Sequence, residues 1–304
     1  MAKVDQQQPV GVTNERSSIF PEYRRDIFPR NLVFSAEDIE ELCALVSALN
    51  DRAIELEKES VLEDGEQREA AYAQIDELMK IQYSYTADNG NYVVGIGIPD
   101  VAAKQFPELL ENFYVSNSSH ALGIVQKRPL NCVDIYIDFS SPSFWVDLTS
   151  PPSNPTPNKS VINIYGRDED WVNSANVRLK EFFDISHNWI SNIHNAGKYD
   201  QFTYVIYIPL LVVLSLYFGM DEYLKLLDSF SFPIKLLISV WLIIVSLMFG
   251  RQFFQYLRWL VPPIEYYKRK RRGAYIHRIV FASIFSGLLV AALYDFLKSM
   301  FTGS

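Results

Sequence analysis

Four polar side chains are the candidates for chemistry in this sequence: Asp134, Asp138, Arg167 and His187. Carboxylates and histidines act as general acids and bases when they converge on a substrate. Asp134 and Asp138 fall on one face of a predicted strand, where a separation of four residues places them about 13 Å apart. They do not form a carboxylate pair by themselves. A membrane-bound enzyme that uses these four residues is therefore an alternative, not the main prediction.

The histidines and glycines do not match a known metal or cofactor pattern. His187 and His194 are seven residues apart, about 10 Å along a helix, too far to share one zinc ion. Asp184 lies one turn before His187, but no third ligand accompanies the two. Gly95 and Gly97 form a G-x-G without the third glycine of a dinucleotide-binding loop. The sequence therefore predicts no cofactor, no metal site and no identifiable catalytic residue.

A charged stretch around position 168 is the most distinctive local feature. One interpretation is that Arg167, Asp168, Asp170 and Trp171 line the edge of a ligand-binding or partner-binding surface. The other interpretation is structural and is the one that the pattern favours. In it, Gly166 ends a strand, the acids occupy the first turn of a helix, where the helix dipole favours them, and Trp171 anchors that helix.

Charge divides the 304 residues into two parts. Residues 1–200 contain 17 Lys and Arg against 31 Asp and Glu, whereas residues 201–304 contain 11 against 5. Nucleic-acid binding depends on clustered cations, so no nucleic-acid partner is expected for the acidic part. The only cysteines, Cys43 and Cys132, are predicted to be reduced and buried, because a domain of this size needs no disulfide.

Residues 35–200 are predicted to form an α+β domain in which helices pack on an antiparallel sheet. Ser35, with an acid three residues later, is a predicted helix N-cap, and a second helix is expected over about 66–80. A further short helix is expected at about 107–114, and residues 1–34 are predicted to be a polar, partly disordered segment. The predicted strands are rich in aromatic and β-branched residues: IQYSYT, ALGIVQ, NCVDIYIDFS, SFWVDLTS and KSVINIYG.

Three apolar runs predict an all-α transmembrane region over residues 201–304. They cover about 202–218, 232–249 and 279–297, each close to the shortest length that crosses a bilayer. The charges near the end of the third run leave two spans as the alternative. Small residues at four-residue spacing favour close helix packing and a homo-oligomer: Ser283, Gly287 and Ala291.

Positive charge predicts the orientation of these runs. The link over residues 251–278 is basic, which indicates that it and the N-terminal domain are cytoplasmic and that the protein is a multi-pass protein of the plasma (inner) membrane. Five consecutive cations in the link could contact anionic lipid head groups: Lys268, Arg269, Lys270, Arg271 and Arg272.

These observations favour a non-enzymatic binding, sensing or scaffolding module held on a membrane. Its expected partners are the lipid bilayer and a cytoplasmic protein or small ligand. One alternative is a sensor-effector that disrupts the membrane when it is triggered, as a toxin-like or antiphage protein would. The other alternative is the membrane-bound enzyme considered above.

Overall fold

The computed structural model describes residues 22–62, 65–103, 106–145, 151–185, 189–217, 229–267 and 276–281, with isolated positions 225, 227, 283, 284 and 287. Its central element is an antiparallel sheet of six strands in the order β1-β7-β6-β5-β3-β4. A separate pair, β2 and β8, is parallel. The strand bounds are β1 Tyr23–Ile27, β2 Leu32–Ser35, β3 Gln82–Ala87, β4 Tyr92–Ile96, β5 Leu110–Ser116, β6 Asn131–Asp138, β7 Val161–Gly166 and β8 Ile264–Tyr267.

Helices cover one face of the sheet, which confirms the predicted α+β class. Two of them, α1 and α4, contact the sheet strands directly, and α2 packs on α1 and α3. The helix bounds are α1 Ala36–Glu59, α2 Glu66–Leu78, α3 Ser119–Val125, α4 Glu169–Ile185, α5 Lys198–Gln201, α6 Ile208–Tyr217 and α7 Phe232–Leu260, with a 3-10 helix over Trp189–His194 and a π-helix over Phe202–Tyr207.

Local signals in the sequence account for the start of α1 and the orientation of β6. The Ser35 hydroxyl accepts the amide N–H of Asp38 at 3.1 Å, and the Asp38 carboxylate accepts the amide N–H of Ser35 at 2.6 Å. This reciprocal cap is the capping box that the sequence predicts. In β6 the side chains alternate between the two faces, as the predicted placement of Asp134 on one strand face requires, because Val133, Ile135 and Ile137 lie in the core at no more than 1% exposure.

Two predicted elements were assigned the wrong type. ALGIVQ, predicted to be a strand, lies mostly in helix α3, because the Ser116 hydroxyl accepts the amide N–H groups of Ser118 and Ser119 and turns the chain at that point. The helix predicted at about 107–114 is instead largely part of strand β5, since Phe113 and Val115 alternate into the core. Short apolar runs fit both periods, and tertiary packing selects between them.

Part of the segment over residues 1–34 is ordered. Strand β1 pairs with β7, and β2 pairs with β8 in the core, where Phe34 is fully buried. The Phe34 ring packs against three other rings, those of Phe139, Phe182 and Phe183. The first of the described residues therefore contribute to the fold, within a segment whose polar composition predicts partial disorder.

The free edge of the sheet at β4 is apolar. Asn91 and Gly97 form the hydrogen bonds to β3 at the two ends of the strand, so the alternate residues Tyr92, Val94 and Ile96 direct their backbone N–H and C=O groups outward. The side chains of these three residues are 49–65% exposed.

One helix in the described part of the chain, α7, is long and apolar enough to cross a membrane, and its apolar stretch is not buried. Three membrane-spanning helices were predicted, and among the described residues one helix has the length and composition of a span. The first predicted run is helical from Lys198 to Tyr217, but in three short segments of α, π and α type. The third run, about 279–297, lies largely outside the described residues.

Candidate functional site

The charged stretch after β7 is used to connect a strand to a helix. The Asp168 carboxylate accepts the amide N–H of Trp171 at 2.6 Å. The Trp171 ring is buried and donates its indole N–H to the Leu49 carbonyl at 3.1 Å. Arg167 and Asp170 remain on the surface. Of the four residues predicted to line a partner edge, Trp171 is therefore in the core and Asp168 caps α4.

The three described residues of the enzyme alternative, Asp134, Asp138 and Arg167, do not share a cleft. Asp134 and Asp138 lie on the same strand, and Asp138 is buried near its end. Arg167 follows β7, whose last residue, Gly166, pairs with Asn131 at the far end of β6. His187 lies outside the described residues.

Asp134 instead organises a cluster of hydroxyl groups on the sheet face opposite the core. Its carboxylate accepts hydrogen bonds from Ser116, from Ser118 at 2.8 Å and from Tyr165 at 2.8 Å. Burial raises the pKa of the Tyr165 phenol, so this group is a donor at neutral pH. The cluster therefore links β5, β6 and β7 through side-chain hydrogen bonds to Asp134.

A more unusual arrangement is found where α7 meets the domain. The apolar stretch of α7 ends at Phe249, which is exposed, and the remaining turns pack on the domain. Gln252 and Gln255 donate side-chain hydrogen bonds to the carbonyls of Phe144 at 3.0 Å and Ser143 at 2.6 Å. We call this contact region, formed by residues 143–145, 151–157, 189–194 and 250–267, the junction.

The chain continues from α7 directly into the core of the domain. After Pro262 and Pro263, strand β8 pairs with β2 in parallel register, and Ile264 is fully buried. Arg278 donates to the Leu260 carbonyl at 2.8 Å and forms an ion pair with Glu265 at 2.9 Å. The end of the apolar helix is consequently fixed to the domain by backbone pairing and by side-chain contacts.

His194, on the domain side of the junction, forms hydrogen bonds to both Thr156 and Val261. Its Nε2 atom donates to the Val261 carbonyl, and in the neutral ring Nδ1 accepts from the Thr156 hydroxyl at 2.8 Å. The ring is 1% exposed. Burial lowers the His194 pKa from 6.5 to about 4, and the nearby charges of Arg258 and Arg30 act in the same direction. The imidazole is therefore neutral at physiological pH.

Two cavities border the junction. One has a volume of about 580 Å³ and is lined in part by Glu111, Trp259, Tyr266 and Arg278. The other has a volume of about 400 Å³, and its lining includes Arg258. Both volumes are in the range of small-molecule sites. Neither cavity could be predicted from the sequence, because residues from at least four separate segments form the walls of each.

The other predicted contact residues are described only in part. The five cations Lys268, Arg269, Lys270, Arg271 and Arg272 lie outside the described residues. Ser283 and Gly287 occupy helical positions, and Ala291 lies outside the described residues. Both the head-group contact and the packing stripe therefore stay predictions.

Comparisons of the chain with known protein families, with characterised proteins and with solved structures gave no match.

Proposed function

We propose that the protein is a membrane-integral sensing module. In this proposal α7 crosses the membrane, together with the apolar runs at 202–218 and 279–297, and the α+β domain lies on the cytoplasmic side. The domain binds a protein or small ligand without converting it, and the bound state is passed through the junction to α7. The positive charge of the link over 251–278 supports this orientation.

The observation that carries the proposal is the continuity of α7 with the core. A flexible linker between an anchor and a domain would let the two parts move independently. Here β8 follows α7 after three residues and is itself a buried strand. A rearrangement of the domain that moves β2 or β8 therefore moves the end of α7, which is the physical requirement for transmission.

Transmission can be tested by hydrogen exchange on the full chain in lipid nanodiscs. The perturbation is Asn117→Ala, because the Asn117 side chain donates to Asn50 at 3.0 Å and accepts from the amide of Val133, near the start of β6. That site is about 17 Å along the strand from Asp138, which lines the smaller of the two junction cavities. The matched control is Gln67→Ala, which alters an exposed side chain on α2.

We expect Asn117→Ala, but not Gln67→Ala, to increase exchange at residues 250–260. Increased exchange confined to β5, β6 and α3 would contradict the proposal.

Two further assays address the alternatives. Release of a dye from liposomes that contain the protein would favour the sensor-effector, and turnover of a bound ligand would favour the enzyme. Protease protection of tags at residues 1 and 304 in sealed vesicles tests the orientation.

A further inference from the structure

The smaller cavity of the junction contains an excess of positive charge. It lies between residues 138–145, residues 151–159 and one face of α7. Three cations, Lys159, Arg251 and Arg258, belong to its lining. Asp138 is the one carboxylate among the described lining residues, and backbone amides occupy both its oxygens: Ser140 donates at 2.9 Å and Lys159 at 3.4 Å.

Arg258 is the most buried of these cations, at 6% exposure. Its guanidinium donates to two neutral acceptors, the carbonyls of Asn154 at 3.1 Å and Ile193 at 3.3 Å, and it lies over the Phe254 ring. Among the described residues it forms no ion pair with a carboxylate. A buried guanidinium without a counter-charge is costly, and it retains N–H groups that can bind an anion.

Two of the three cations, Arg251 and Arg258, lie on α7 beyond its apolar stretch. Arg251 and Arg258 are seven residues apart, so they lie two turns apart on nearly the same face. At about 1.5 Å per residue, Arg251 is about 3 Å beyond Phe249 and Arg258 about 13 Å beyond it. If α7 crosses a bilayer as proposed above, Arg251 lies at the level of the lipid head groups, a layer about 5–8 Å thick.

We propose that this cavity binds a phosphate group, with Arg258 as its buried ligand and Lys159 and Arg251 at its mouth. Guanidinium and ammonium groups recognise phosphate through charge-assisted hydrogen bonds. A volume of about 400 Å³ accommodates a phosphate with a small polar substituent. The phosphate can belong to the head group of an anionic phospholipid or to a soluble molecule. The phosphate site does not depend on the proposed sensing role. A phospholipid can supply the phosphate only if α7 is inserted in a membrane, as proposed above.

The test uses the full chain purified in neutral detergent. One arm titrates phosphatidylglycerol or phosphatidylcholine and counts retained lipids by native mass spectrometry. The other arm titrates inorganic phosphate and glycerol 3-phosphate and follows the melting temperature. The test variant is Lys159→Gln, because Lys159 is exposed and its loss leaves the junction contacts intact. Lys198→Gln is the control. Lys198 precedes Tyr199, which lines the cavity, but the Lys198 side chain is not part of the lining and donates to Gln201 instead.

Binding of phosphatidylglycerol in preference to phosphatidylcholine, weakened about tenfold by Lys159→Gln and unchanged by Lys198→Gln, is the expected result for a lipid source. The same pattern with the soluble phosphates identifies a soluble source. Either result supports the site. Equal effects of the two variants, or no binding in either arm, would overturn it. Arg258→Gln adds a check on the buried ligand, provided that the variant folds.

Discussion

The neutral, buried His194 makes the junction sensitive to acid. The ring forms hydrogen bonds to both the Val261 carbonyl and the Thr156 hydroxyl. Protonation of Nδ1 would remove the acceptor for the Thr156 hydroxyl and place a positive charge beside Arg258. In the unfolded chain the same imidazole titrates at its ordinary pKa of 6.5. Between the two pKa values the unfolded state therefore binds the proton and the folded state does not.

The sign and size of the effect follow from this difference. The contribution of His194 is fully present above about pH 6.5, and it is lost as the pH falls toward the folded-state pKa of about 4. A pKa difference of one corresponds to about 1.4 kcal/mol. From neutral pH the free energy of unfolding should fall by about 2 kcal/mol at about pH 5 and by about 3 kcal/mol at about pH 4, beyond the effect of other groups.

A comparison with His194→Gln isolates this contribution. Glutamine is neutral throughout the range and carries both an N–H donor and a carbonyl acceptor for the partners of His194. Urea unfolding of both proteins in neutral detergent, at pH values from about 7 to about 4, gives two stability profiles. We expect the wild-type profile to fall more steeply on acidification, by the amounts above. Parallel profiles would show that His194 is not held neutral by burial and would refute the reasoning.

Three other outcomes follow from the packing. Phe34→Ala should lower the free energy of unfolding by about 3–5 kcal/mol in urea titrations, because the ring is fully buried against three other rings; a loss below about 1 kcal/mol would contradict that packing. Burial raises the pKa of the Cys43 and Cys132 thiols to about 12, so neither should react with a thiol reagent at neutral pH before unfolding; rapid labelling of the native protein would disprove this. Val94→Lys should reduce concentration-dependent association in light scattering, since a lysine opposes strand pairing at the exposed β4 edge; unchanged association would mean that this edge does not pair.

Features that depend on neighbouring residues alone were predicted correctly. The capping box at Ser35 and the alternation of β6 arise from spacings of three and two residues, and the apolar character of α7 arises from one continuous run. Such spacings determine which side chains share a face before any tertiary contact forms. The α+β class follows from the same patterns, because the predicted helices and strands must bury their apolar faces against one another.

Other features required contacts between distant parts of the chain. Local pattern could not choose between helix and strand for β5 and α3, since short apolar runs fit both periods and only packing against neighbouring elements decides. The pairing of β2 with β8 joins residues more than 200 positions apart and brings part of the apparently disordered N-terminal segment into the core. His194 and Arg258 likewise acquire their roles from carbonyls far away in sequence. The sequence by itself therefore determined the capping box, the alternation of β6 and the apolar run of α7. The tertiary structure decided the type of the short elements and how the domain joins its apolar helix, because burial and hydrogen bonding there depend on the whole fold.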